Sequence, residues 1–169
     1  MWGLCHDDGS SGFVDTFNFL PWSGTKNYLG YNKTSFGNWF VYSDYAPVTQ
    51  SGGVGVGNGW NACAMSYSSW SGAFGDHWEN NTCITSSAGR AQWALNDCNA
   101  NNPTDGTVPL FSNNVYSNPD MGYAFPCGKN KTSLSLAEAQ AVGVDVGSTV
   151  VPLFSNEEII AAGHQLLMF

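Results

Sequence analysis

Apolar positions along this chain fall in short stretches rather than long runs. Three segments place an aromatic residue two positions before an asparagine and follow it with a β-prone stretch. They are Phe36-Gly37-Asn38-Trp39-Phe40-Val41-Tyr42, Trp78-Glu79-Asn80-Asn81-Thr82-Cys83-Ile84 and Phe111-Ser112-Asn113-Asn114-Val115-Tyr116. Phe17-Asn18-Phe19-Leu20 is a looser fourth copy. Counted on Asn18, Asn38, Asn80 and Asn113, the offsets are 20, 42 and 33 residues, as expected when loops are inserted into a repeating coil. Asparagine tolerates the left-handed backbone of a sharp turn between strands, and stacked asparagines can hydrogen-bond to one another. The pattern therefore predicts stacked short strands with asparagine at their corners.

The last forty residues change period. Ser135-Leu136-Ala137-Glu138 is a capping-box pattern that opens a short helix, which Gly143 can end. Ser155-Asn156-Glu157-Glu158 repeats the signature before Ile159, Ile160, Gly163, Leu166 and Leu167, spaced for one helical face. Such a helix is expected to cover the last coil, whose apolar interior and open edge need protection. The Gly-rich residues 51–59 lack the Lys-Ser/Thr ending of a phosphate-binding loop. With the Asn/Asp/Pro-rich residues 96–106 they are expected to project as insertions. The chain reads as one domain: coils with inserted loops over 1–132 and a helical cap over 133–169.

Composition supports an all-β reading. Charged residues are 11% of the 169 and aromatics 14%, so the core relies on rings, and the charged faces of a helix bundle are missing. A net charge of −8 with five Lys+Arg excludes a phosphate-backbone ligand and disfavours an anionic membrane surface. No apolar run reaches the ~20 residues of a membrane span. Neutral glycans, or polymers bridged by Ca2+, stay compatible; no cofactor and no protein metal site is expected, and the chain is expected to be a monomer.

Cys5, Cys63, Cys83, Cys98 and Cys127 show no CxxC spacing, which argues against zinc. Cys63, Cys83, Cys98 and Cys127 allow three pairings. Sequons begin at Asn32, Asn80 and Asn130; with dispersed cysteines they point to the secretory pathway, although an Asn-rich chain can match the pattern by accident. No signal-peptide pattern precedes His6, so upstream residues, and with them a partner for Cys5, are expected.

Val108-Pro109-Leu110-Phe111-Ser112-Asn113-Asn114-Val115-Tyr116, followed by residues 134–145 with Leu136, Gln140, Gly143 and Asp145, resembles the terminal coils of pectate-lyase-like right-handed parallel β-helix proteins. His6-Asp7-Asp8-Gly9-Ser10 and Lys26-Asn27-Tyr28-Leu29-Gly30 are similar to earlier turns of that group. The resemblance covers most of residues 6–153 and is strongest in the last third. It implies a right-handed parallel β-helix (solenoid) with short C-terminal capping helices, an extracellular location and a polysaccharide ligand. Many relatives are lyases or glycosidases, but fold alone assigns no reaction.

If the chain is catalytic, His6, Asp7 and Asp8 are the expected acid/base groups, with Lys26 positioning an anionic sugar. Two acids can divide such a task when their environments push their pKa values apart, yet neighbours on a strand point to opposite faces, and Asp-Asp-Gly-Ser is also a plain turn signal. Lys33 and Arg90 are the other basic candidates before residue 129, with solvated surface as their default. The glycosidases of the fold carry a His-Gly pair that this chain lacks. Trp60 and Trp70 beside Gly-rich segments are candidate sugar platforms, and Asp76 with His77 forms a second polar cluster; Trp39 and Trp78, on the repeat, are expected in the core. The leading expectation is a secreted carbohydrate-active or carbohydrate-binding protein. The alternatives are a non-catalytic surface or wall protein and an incomplete piece of a longer β-helix.

Overall fold

The computed structural model describes residues 2–6, 9–28, 30–43, 63–67, 75–86, 93–95, 110–117, 125–127 and 132–168. Its strands come in threes. The first circuit is β1 (Trp2–His6), β2 (Val14–Thr16) and β3 (Phe19–Pro21), and the second is β4 (Gly24–Tyr28), β5 (Thr34–Phe36) and β6 (Trp39–Val41). The third is β7 (Ala64–Tyr67), β8 (His77–Glu79) and β9 (Thr82–Ile84), and the fourth is β10 (Trp93–Leu95), β11 (Leu110–Ser112) and β12 (Val115–Ser117). An antiparallel pair, β13 (Phe125–Cys127) and β14 (Thr132–Leu134), follows, then α1 (Leu136–Ala141), β15 (Thr149–Val151) and α2 (Asn156–Leu167).

Each circuit adds one strand to each of three parallel sheets. Sheet A is ordered β1-β4-β7-β10, sheet B β2-β5-β8-β11, and sheet C β3-β6-β9-β12-β15. The protein is thus mostly β, with two helices among the described residues. The expected insertions at 51–59 and 96–106 lie outside the described residues.

The corner between sheets B and C explains the repeat and corrects its register. Phe17, Asn80 and Asn113 hold φ of 54–55°, and Gly37 and Gly147 stand at the same corner at 67° and 81°. These are the left-handed residues that turn the chain. The next residue along, Asn18, Asn38, Asn81 or Asn114, points into the stack, and Asn38, Asn81 and Asn114 are at most 1% exposed. Turning and laddering therefore belong to adjacent positions, and the stacked asparagine of circuits three and four is the second of each pair. Shifted by that one residue, the inward column of sheet B reads Asp15, Ser35, Trp78, Phe111, and that of sheet C reads Leu20, Phe40, Cys83, Tyr116, Val150. Because side chains alternate faces along a strand, a one-residue slip exchanges inside for outside.

The core is polar at the first circuits and apolar towards the end. Phe40, Trp78, Cys83, Phe111 and Tyr116 pack with Leu136, Ala139 and Val144, so α1 closes the C-terminal end of the stack. Both capping boxes form, at Ser135/Glu138 and Ser155/Glu158, and Gly143 at φ 84° ends the first helix region. The second helix departs from expectation. It lies along the outer face of sheet C, where Ile159 joins Val41 and Ile84. Gly163 lets it approach the Phe19 ring, which would lie 3.1 Å from an added Cβ. The reason is the outward row of sheet C, which is apolar and needs cover. Trp39 belongs to that row, packing on Phe154 at 5.5 Å between centroids, whereas Trp78 is in the core as expected.

Of the three pairings the cysteines allow, the structure forms Cys63–Cys83, with Cα atoms 5.8 Å apart and a separation of 20 residues. Cys98 lies outside the described residues, and Cys127 is placed only by its strand. Cys5 is free and exposed. Closing a loop of this length stabilises by about 3 kcal/mol in the chain-entropy account. Cys83→Ala is expected to lower the urea midpoint accordingly, and a midpoint unchanged under reducing conditions would mean the bond is dispensable.

Candidate functional site

Three polar groupings emerge from the stack. The first is at its N-terminal end. His6 is 7% exposed, stacks on Phe13 with centroids 4.3 Å apart, and brings Nε2 to 2.6 Å from Asp15 Oδ2. Asp15 was not legible as a partner from sequence spacing; it surfaces only when the repeat is aligned on the buried asparagine, three residues on. Asp7 and Asp8 lie outside the described residues. The strand register pairs Lys26 with Cys5 and Asn27 with His6, so Lys26 is one register position away from the histidine.

The second grouping is internal. Asp76 is 2% exposed; its Oδ1 accepts the backbone N–H of Lys33 at 2.9 Å, and its Oδ2 is 3.6 Å from Lys33 Nζ. Lys33 is equally buried, in place of the solvated surface its type suggests. Burial pushes the Asp76 carboxyl up and the Lys33 amine down, and their mutual attraction and hydrogen bonds oppose both shifts. Asp76 therefore cannot touch a ligand on the outside of the stack, and its neighbour His77 points the other way.

The third grouping is the outer face of sheet B. His77 and Glu79, two residues apart on β8, share that face, with Nδ1 3.8 Å from Oε1 and side-chain exposures of 39% and 36%. Ser112 on the next strand donates to Glu79 Oε1 at 3.2 Å. Register sets Phe36 on one side of Glu79 and Ser112 on the other, and Thr34 and Leu110 on either side of His77. Phe17 packs edge-on against Phe36 at 5.7 Å. Glu79, Ser112, Phe36 and Phe17 were missed because their shared face depends on the register of strands far apart in sequence.

Trp60, Trp70 and Asn130 lie outside the described residues. Asn32 and Asn80 are exposed, both with left-handed backbone. Among the described residues no group of three or more His, Cys, Asp or Glu side chains could hold a metal ion, and no helix is long and apolar enough to cross a membrane. Compared with family models, with curated proteins and with solved structures, the chain matches none.

Proposed function

We propose that this chain is a right-handed parallel β-helix that binds an extracellular polysaccharide along the outer face of sheet B. The observation that carries the reading is the pair of outward rows, Thr34-His77-Leu110 and Phe36-Glu79-Ser112. Neighbouring strands lie about 4.8 Å apart, so a glycan laid across them meets a ring face, a carboxylate and a hydroxyl in succession. Aromatic faces suit the apolar faces of sugars, and Glu79, His77 and Ser112 suit their hydroxyls. The disulfide is compatible with an oxidising, extracellular location, and the cyclic strand order supports the solenoid. Binding is favoured over turnover because glycosidases need two facing carboxyl groups, and of the described residues on this face only Glu79 carries one.

The test is retention on immobilised neutral and acidic polysaccharides, with and without Ca2+, followed by mass spectrometry of the eluted glycan. Binding of a glycan that stays intact is expected, and Phe36→Ala or Glu79→Ala should each weaken it on the order of tenfold, about 1.4 kcal/mol. Shortened glycan would replace this reading with a hydrolase or lyase. No retention by folded protein would leave the stiff, non-catalytic wall protein in its place.

A further inference from the structure

The outer face of sheet B is laid out as two continuous rows. Its strands pair in parallel with unbroken register from β2 through β5 and β8 to β11. One row reads Val14-Thr34-His77-Leu110, and the other Thr16-Phe36-Glu79-Ser112. A bridge from Ser112 to Val146 carries the second row one circuit further. Each row advances about 4.8 Å per circuit, and the rows run about 6.6 Å apart, two residues along each strand. A single pyranose ring is comparable in length and width to that repeating cell.

The chemistry along the rows is ordered as well. Val14, Leu110 and Val146 are 56–66% exposed and stand towards the two ends of the face, with Phe36, packed against Phe17, between them. Apolar surfaces of this kind reward a ligand that presents C–H faces. The polar groups sit in the middle, on Glu79, His77 and Ser112. His77 and Ser112 both approach Oε1 of Glu79, so Oε2 is the oxygen left to accept from a ligand hydroxyl. Charge narrows the ligand further. Among the described residues this face carries no Lys or Arg, since Lys33, next to Thr34, is buried against Asp76. A protonated His77 would only balance Glu79. A uronate polymer would therefore meet a carboxylate with no surplus cation to receive its own, a like-charge contact that opposes binding.

We infer that the face takes a neutral, β-1,4-linked glycan whose ring substituents are all equatorial, lying along the stack with one sugar per circuit. This rests on the polysaccharide-binding reading and names the class of polymer within it. Equatorial substituents leave both faces of each ring as C–H surfaces and put the hydroxyls at its edge. A 1,4-diequatorial linkage makes the chain an extended ribbon that turns over at each sugar. Every unit then offers an apolar face to Phe36, Leu110 or their neighbours, and edge hydroxyls to Glu79, Ser112 and Thr34. An α-1,4-linked chain of the same sugar coils, and leaves the rows after a few units.

The experiment titrates the full chain by calorimetry with cellohexaose, chitohexaose, maltohexaose and hexagalacturonate, in a chelator so that no divalent cation bridges carboxylates. The tighter of the first two should bind about tenfold better, or more, than either of the last two. Leu110→Asp should weaken that binding by a similar factor and leave the melting temperature unchanged, because the side chain is mostly exposed. Equal or tighter binding of maltohexaose or hexagalacturonate overturns the inference and leaves the polysaccharide-binding reading standing. Binding of the β-1,4-linked probes that Leu110→Asp does not alter also overturns it, because the contact then lies off these rows. Binding of none of the four by folded protein overturns the inference and the reading together.

Discussion

Asn81→Leu is expected to destabilise the protein by about 3–5 kcal/mol, a large share of the 5–15 kcal/mol that holds a typical domain together. Asn81 is fully buried and serves both neighbouring circuits. Its Oδ1 accepts the Asn38 backbone N–H at 3.0 Å, and its amide donates to the Ser35 carbonyl at 3.0 Å and the Asn114 Oδ1 at 3.4 Å. Leucine fills similar space but takes the acceptor from two buried donors, the Asn38 backbone N–H and the Ser35 hydroxyl. Each such group costs roughly 1–3 kcal/mol. The residue before it behaves oppositely. Asn80 is exposed at φ 54°, so Asn80→Gly should change stability by less than about 0.5 kcal/mol, since glycine accepts that backbone freely. Urea denaturation of the two variants separates the roles; equal effects would mean that the ladder is not what holds successive circuits in register.

Asp76→Ala is expected to cost about 3–5 kcal/mol, because it removes the carboxylate that faces the buried Lys33 ammonium and accepts the Lys33 backbone N–H. Lys33→Met combined with Asp76→Asn should return to within about 1 kcal/mol of the parent, since both charges go and the Asn oxygen still accepts the Lys33 backbone N–H. The pair also sets a pH dependence. The Asp76 pKa is raised in the fold above its ordinary 3.8, so its contribution is full below that value and is lost as pH climbs through the raised one. The Lys33 pKa is lowered below its ordinary 10.5, so between the lowered value and 10.5 the unfolded chain binds more protons and stability rises with pH. Relative to the double variant, the parent should be least stable in the window between the two folded values and gain on both its acid and alkaline sides. Melting temperatures of the two proteins across pH give the difference directly, and a flat difference would remove the pair from the protein's pH response.

Much of the architecture is legible in the chain. Short strands, inserted loops and two capped helices follow from local signals, because a capping box satisfies its own helix end within four residues and an Asn-Asn pair marks a corner wherever it stands. The aromatic-before-Asn pattern also identified the right segments. It misplaced the ladder by one residue, since Asn80 and Asn81 are chemically identical and only the neighbouring circuits decide which turns and which is buried. Asp145 illustrates the same limit: at a left-handed position past Gly143 it resembles an ordinary turn residue, and only Asn114, Tyr116 and Ser148 around it make it the ladder's end.

The candidate site was less legible than the fold. His77 was within reach of sequence reasoning, but Glu79, Ser112 and Phe36 become its companions through pairing of β5, β8 and β11, whose separations depend on loop lengths. His6 acquired Asp15, and Asp76 left the surface for Lys33, by the same non-local pairing. By itself the sequence determined that the chain makes short strands with asparagine corners and two N-capped C-terminal helices, because those are local choices of backbone and hydrogen bond. Only the tertiary structure decided which asparagine is buried, which face α2 covers and which charges meet, because a period-two strand hides or shows a side chain according to a register that distant circuits impose.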